Sequence, residues 1–289
     1  MSRDDARFEE RWVTVRDGLK LFARDYPGAS SGPPLLCLHG LTRNSRDFEA
    51  FAERHSPRFR VLALDFRGRG RSDYDPLPAR YTPLTYAADV IELLDRLDIP
   101  EAVFVGTSLG GLVTMTMTAM APRRIAAAIL NDVGPELDEA GLDRIKSYVG
   151  QDRRFASWSD AAKAIEASQS VAFPSYTQED WLAMARRNCR EHEGEVRFDY
   201  DMAIAAPFAT SGAAPTIDMW PLFQALGRKP LMVVRGELSD LLSASALERM
   251  HSAVPDMKSV TVPDVGHAPT LDEREAVAAI DEFLDSLAG

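Results

Sequence analysis

Apolar positions in this chain follow two rhythms that alternate along most of its length. Trp12-Val13-Thr14-Val15 and Leu19-Lys20-Leu21-Phe22 are short extended segments joined by Asp17-Gly18, a hairpin signal. Leu35-Leu36-Cys37-Leu38 and the run Val61-Leu62-Ala63-Leu64 are continuously apolar, as central strands covered on both faces must be. Further strands are expected over 102–107, 125–130, 231–234 and 259–262. Between them the spacing changes to that of helices, over 48–55, from Thr82-Pro83, over 109–121, near 246–254, and from Thr270 to the C-terminus. Thr82 supplies a capping hydroxyl and Pro83 suits the first helical position; Leu84, Ala88, Ile91, Leu94 and Leu97 are expected as that helix's apolar face. Strands alternating with helices predict a mostly parallel α/β sheet wrapped by helices.

The rhythm breaks at Gly134-Pro135. From there to Trp220-Pro221 the pattern is helical without clear strands, and Thr177-Gln178-Glu179-Asp180 reads as a capping box. Ser211-Gly212-Ala213-Ala214-Pro215 marks a looser stretch before the alternation resumes. The division expected is a core over 1–133 and 223–289 with an insertion at 134–222. No repeats or low-complexity tracts interrupt it.

Composition narrows the picture. A chain of 289 residues with 45% hydrophobic residues can bury a substantial core. Its net charge of −11 argues against a general nucleic-acid partner, because phosphate contacts need a positive field. The basic cluster Arg67-Gly68-Arg69-Gly70-Arg71 directly follows an apolar strand and reads as a glycine-shaped turn. The charged start, Met1 to Arg7, lacks a signal peptide's apolar run, and no stretch is long enough to span a membrane; a cytoplasmic protein without a membrane partner is expected. Cys37 and Cys189, the latter placed in the helical middle segment, read as buried thiols. The acidic balance disfavours strongly anionic substrates unless a local basic pocket overrides it.

Candidate chemistry centres on Gly106-Thr107-Ser108-Leu109-Gly110-Gly111, a strand end, a tight turn and a helix start with a serine at the apex. The turn strains Ser108 and admits only very small residues at Gly106 and Gly110. A second Gly-x-Ser-x-Gly, at Gly28-Ala29-Ser30-Ser31-Gly32, precedes Pro33-Pro34 instead of a helix and reads as a loop. A serine nucleophile needs a base, and of five histidines His267 lies just beyond the last strand, in Asp264-Val265-Gly266-His267. His55, His192 and His251 read as surface residues in or beside helices, and His39 precedes the nucleophile. For the acid, Asp132, Glu237 and Asp240 all follow strands.

Together, His39-Gly40, Asp65-Phe66-Arg67-Gly68-Arg69-Gly70-Arg71-Ser72, the Ser108 turn, the Gly236–Asp240 segment and Gly266-His267 resemble the α/β-hydrolase superfamily. The resemblance implies an eight-stranded, mostly parallel sheet with an inserted helical cap at 134–222. It also implies Asp240 as the triad acid beside Ser108 and His267, an oxyanion hole from the backbone amides of Leu41 and Leu109, and a bracing role for His39. Ser108 separates the chain from haloalkane dehalogenases and epoxide hydrolases, which use aspartate there. Leu41-Thr42-Arg43-Asn44-Ser45-Arg46 departs from the glycine- and proline-rich turn of carbon–carbon bond hydrolases, whereas cofactor-free perhydrolases share the triad. The expectation is a hydrolase of a small ester, thioester or lactone, monomeric or homodimeric, with no metal or cofactor; a ligand receptor on the same fold is the alternative outside enzymology. Tyr148, Trp158, Phe173, Tyr176, Trp181 and Trp220 are candidates for a pocket wall or for the insertion's own packing. Arg43, beside the expected oxyanion loop, either meets a substrate carboxylate or is solvated.

Overall fold

The computed structural model describes residues 8–29, 32–209 and 218–287. The charged start, the Ser30-Ser31 centre of the second serine motif and the 211–215 stretch lie outside them. The chain runs β1 (Glu9–Thr14), β2 (Lys20–Tyr26), β3 (Leu35–Leu38), α1 (Glu49–His55), β4 (Val61–Asp65), α2 (Pro83–Arg96), β5 (Ala102–Thr107), α3 (Leu109–Met120) and β6 (Ile125–Asn131). An inserted segment follows: α4 (Glu139–Tyr148), β7 (Arg154–Phe155), α5 (Trp158–Gln169), α6 (Gln178–Asn188), β8 (Cys189–His192), β9 (Glu195–Phe198) and α7 (Ala206–Ala209). The chain closes with α8 (Trp220–Leu226), β10 (Leu231–Gly236), α9 (Ala244–Ala253), β11 (Lys258–Val262) and α10 (Arg274–Ser286).

Eight strands form one sheet in the order β1-β2-β4-β3-β5-β6-β10-β11, antiparallel at β1-β2 and β2-β4 and parallel throughout the rest. Successive side chains of a strand point to opposite faces, so a strand buried on both must be apolar throughout. Leu36, Leu62, Phe104, Ala128 and Val233 face one core beneath α2, α3, α8 and α9, and Leu35, Val61, Val105, Ile129 and Val234 face the other beneath α1 and α10. Each fully buried aliphatic side chain contributes roughly 1.5–3 kcal/mol.

Three local expectations change. The buried face of α2 is Tyr86, Ala87, Val90, Leu93 and Leu94, with Leu84 exposed, because Asp89 on that face is drawn inward to Arg67. His55 is buried against Phe51, 4.3 Å between ring centroids, and desolvation lowers its pKa to about 4. The inserted segment is not purely helical. It carries a three-stranded antiparallel sheet, β7-β9-β8, whose β8–β9 turn uses positive φ at Glu193 and Gly194. Cys189 opens β8 there, and the charged residues interleaved along both strands hide their period in the sequence. The insertion has its own core of Phe155, Ile165, Phe173, Trp181, Met184 and Val196, whereas α8 packs with Phe223 and Leu226 in the main one.

Two of the basic cluster's three arginines, Arg67 and Arg69, are internal, and Arg71 pairs with Glu10 at the surface. Arg67 meets Asp17, Asp75 and Asp89, and Arg69 donates to the Leu41 carbonyl and lies against Tyr81 and Tyr86. Gly68 and Gly70 turn the chain at φ 76° and 56°. No helix among the described residues is long and apolar enough to cross a membrane.

Candidate active site

Ser108 sits between β5 and α3 with φ 51° and ψ −112°, a left-handed conformation that costs a side-chain-bearing residue free energy. It persists because both sides are fixed: the Ser108 amide donates to the Asn131 carbonyl at 3.0 Å and the first turn of α3 bonds back to the Ser108 carbonyl. The flanking glycines leave no alternative. A Cβ on Gly106 would come within 2.6 Å of the Gly110 backbone, and one on Gly110 within 2.0 Å of the Leu38 carbonyl oxygen. The turn therefore forces the hydroxyl out at the carboxyl edge of the sheet, as the sequence pattern predicts.

His267, on the loop after β11, places Nε2 2.9 Å from Ser108 Oγ and Nδ1 2.8 Å from Asp132 Oδ2. A carboxylate only accepts, so Nδ1 carries the proton and Nε2 accepts from the serine hydroxyl. Asp132 is fully buried and enters from the end of β6 with φ 54°; its Oδ1 accepts from the Gly236 amide at 2.8 Å and its Oδ2 from Ser239 Oγ at 2.6 Å. Three donors thus hold the carboxylate and aim it at the imidazole.

This corrects the expectation for Asp240. Both of its oxygens are taken by the Arg144 guanidinium of α4, at 2.5 and 2.8 Å, a pairing that holds its carboxyl below the usual range against the opposing effect of desolvation. Asp240 is near enough to feel the charge of His267, but its bonds go to Arg144, whereas Ser239, the residue before it, bonds to the Asp132 oxygen that meets the ring. Glu237 accepts from the Asp264 amide and is likewise not at the ring.

His39 is completely buried after β3. Its Nδ1 donates to the Gly40 carbonyl at 2.7 Å, its Nε2 accepts from the Phe66 amide at 3.1 Å, and desolvation lowers its pKa to about 3. It stays neutral and braces the loop that carries Leu41. Asp65 ties the same region together by accepting from the Ser45 and Arg71 amides. The Arg69 bond to the Leu41 carbonyl, 2.9 Å, fixes the loop from behind. Leu109 is the first residue of α3, where amides have no acceptor within the helix and the dipole's positive end emerges.

Ser108 and His267 open into a cavity of about 520 Å³, between the sheet edge and the insertion. Tyr148 and Phe173 line it; Phe173 also stacks with Tyr176 and Trp181 inside the insertion. Trp158 lies under Arg186, and Trp220 packs on Phe223 in the main core. Arg43 lines the cavity too, yet its Nε and Nη2 donate to Asp47, at 2.6 and 2.8 Å. Arg187, which the sequence pattern did not single out, also lines the wall.

An eight-stranded sheet of this order with a serine and histidine at its carboxyl edge defines an α/β-fold hydrolase. Residues 35–280 match the model of the alpha/beta hydrolase family, and the chain belongs to that family. It is 34% identical over 258 residues to the 3-hydroxybutyrate-oligomer hydrolase of Cupriavidus necator, spanning 86% of this chain and 87% of that one. It is 30% identical over 257 residues to the 2-(acetamidomethylene)succinate hydrolase of Mesorhizobium japonicum, spanning 89% of each. The crystal structure of an alpha/beta hydrolase from Novosphingobium aromaticivorans, 50% identical, superimposes with a TM-score of 0.92 over 97% of this chain and 99% of that one.

Proposed function

We propose that this hydrolase cleaves small carboxylic esters, thioesters or lactones through an acyl-enzyme on Ser108, with His267 as base and Asp132 as the carboxylate that orients it. The observation that carries the reading is the continuous relay of 2.9 and 2.8 Å from Ser108 through His267 to Asp132. Ser108 Oγ bonds to the acyl carbon as His267 Nε2 takes its proton, and the buried Asp132 stabilises the imidazolium. The amides of Leu41 and Leu109 receive the oxyanion, and the His39 and Arg69 contacts keep that loop from relaxing. The imidazolium then protonates the leaving alkoxide or thiolate; water deprotonated by His267 attacks the acyl-enzyme, and Ser108 recovers its proton as the acid departs. The inserted segment acts as a cap that shapes the acyl pocket.

The 3-hydroxybutyrate-oligomer hydrolase relative supports this reading, since an oligomer of a hydroxy acid is joined by ester bonds. The test is labelling of the purified protein with a serine-reactive fluorophosphonate, beside Ser108→Ala and His267→Ala. Labelling and ester turnover in the wild type, both lost in folded variants, are expected. A folded wild-type protein that neither reacts nor turns over esters would return the site to the ligand-receptor reading.

A further inference from the structure

Five arginines line the cavity, in a protein whose net charge is −11. Arg43 is occupied by Asp47, and Arg46 by Asp199 and two backbone carbonyls. Arg186 is exposed and lies over Trp158, and Arg153 is exposed. Arg187 differs. It is half-buried in the last turn of α6, and among the described residues its guanidinium has no ion pair or hydrogen bond.

The acids that feel its charge are already held by others. Asp47 has Arg43, Asp180 has Thr177, and Asp272 has Arg54. Tyr176, also within its field, is pushed up to about 12 by desolvation and stays neutral. A cation at a helix C-terminus is favoured by the dipole, but that effect does not require the side chain to line a cavity instead of extending into solvent.

The backbone beneath Arg187 is also fixed. Its carbonyl accepts from Asn44 Nδ2 at 2.9 Å and from Arg46 Nε at 2.8 Å, both on the loop that continues from Gly40 and Leu41. The backbone that carries the side chain is thereby held at a set position relative to the oxyanion loop, by bonds that leave the guanidinium itself unengaged. Five donors in a planar fork, partly desolvated and unpaired, match a carboxylate.

We infer that Arg187 anchors a carboxylate carried by the substrate, so that the preferred substrates are anionic acyl compounds despite the acidic protein; this rests on the acyl-enzyme reading of the site. The test compares two matched pairs of esters with wild type, Arg187→Gln and Arg187→Lys. Mono-p-nitrophenyl adipate and its methyl ester place the charge on the acyl side, whereas 4-butyryloxybenzoate and its methyl ester place it on the leaving group. In one pair the wild type favours the charged member, and that ratio of kcat/KM falls about 10- to 100-fold in Arg187→Gln, mainly through KM, with partial recovery in Arg187→Lys. No preference in either pair, or a preference that survives Arg187→Gln, overturns the inference. An arm without variants guards against misfolding: adipate inhibits the wild type competitively and dimethyl adipate far less, and equal inhibition by the two, or none, overturns it. Failure of the acyl-enzyme reading has a separate signature, no hydrolysis of any of the four esters together with no fluorophosphonate labelling.

Discussion

The sheet core and the segment inserted between β6 and α8 are held together by different forces, and the candidate site lies where they meet. In the core, aliphatic side chains alternate between two faces and the reactive groups are fixed by backbone constraints: the Gly106 and Gly110 contacts, the strained Ser108, the three donors on Asp132. The insertion has a small aromatic core of its own, sends Ile145, Val149, Tyr200 and Ile204 into the main core, and is fastened at the sheet edge by polar clamps. Arg46 reaches Arg187, Cys189 and Asp199; Arg144 grips Asp240; Tyr81 donates to Asp201. Packing of the first kind is intolerant of change and suits catalytic geometry. Polar clamping of the second kind yields at smaller cost and suits a wall that sets selectivity.

The contrast can be broken most severely at Gly110→Ala. The added methyl would overlap the Leu38 carbonyl, so α3 must lift from β3, at a cost of about 3 kcal/mol or more, with loss of fluorophosphonate labelling. Chemical denaturation beside a labelling assay checks both; a variant of wild-type stability would show that the elbow is looser than its contacts imply.

A second effect concerns pH. His39 and His55 have folded pKa values of about 3 and about 4, below the ordinary 6.5 of an unfolded histidine. The unfolded chain therefore binds more protons between those values, so stability is fully present above pH 6.5 and declines as the pH falls. His39 alone should cost about 3 kcal/mol by pH 4, at roughly 1.4 kcal/mol per unit. Urea midpoints measured from pH 7.5 to 4.5 test this, with the slope reduced in His39→Gln; an unchanged slope would remove His39 as its source.

The mildest change is expected in the clamps. Arg46→Ala should lower stability by about 2 kcal/mol, raise KM more than it lowers kcat, and speed amide exchange in β8 and β9 more than in β5. Equal loosening of β5 would mean that the two regions unfold as one unit.

The same difference between the regions governs what could be read from the amino-acid order. The apolar runs, the Asp17-Gly18 hairpin and the Ser108 turn were legible because each imposes a local constraint that no distant residue alters. His267 was legible by its place after the last strand. The acid was not: Asp132 and Asp240 both follow strands, and only the fold reveals that Arg144, about a hundred positions earlier in the chain, claims Asp240 while Gly236 and Ser239 direct Asp132 to the ring. Nor were β8 and β9 legible, since Arg190, Glu191, Glu195 and Arg197 mask their period, or Arg187, whose significance lies in the partners its neighbours already have.

The most direct test of the relay compares Asp132→Asn with Asp240→Asn in steady-state hydrolysis of p-nitrophenyl butyrate, each shown to be folded by its denaturation curve. An asparagine at 132 can no longer hold the imidazolium, so kcat should fall by about 10³–10⁴, whereas Asp240→Asn should lose less than about tenfold, through the Arg144 contact alone. The reverse ranking, a large loss at 240 with near-normal turnover at 132, would contradict the assignment of Asp132 to the relay.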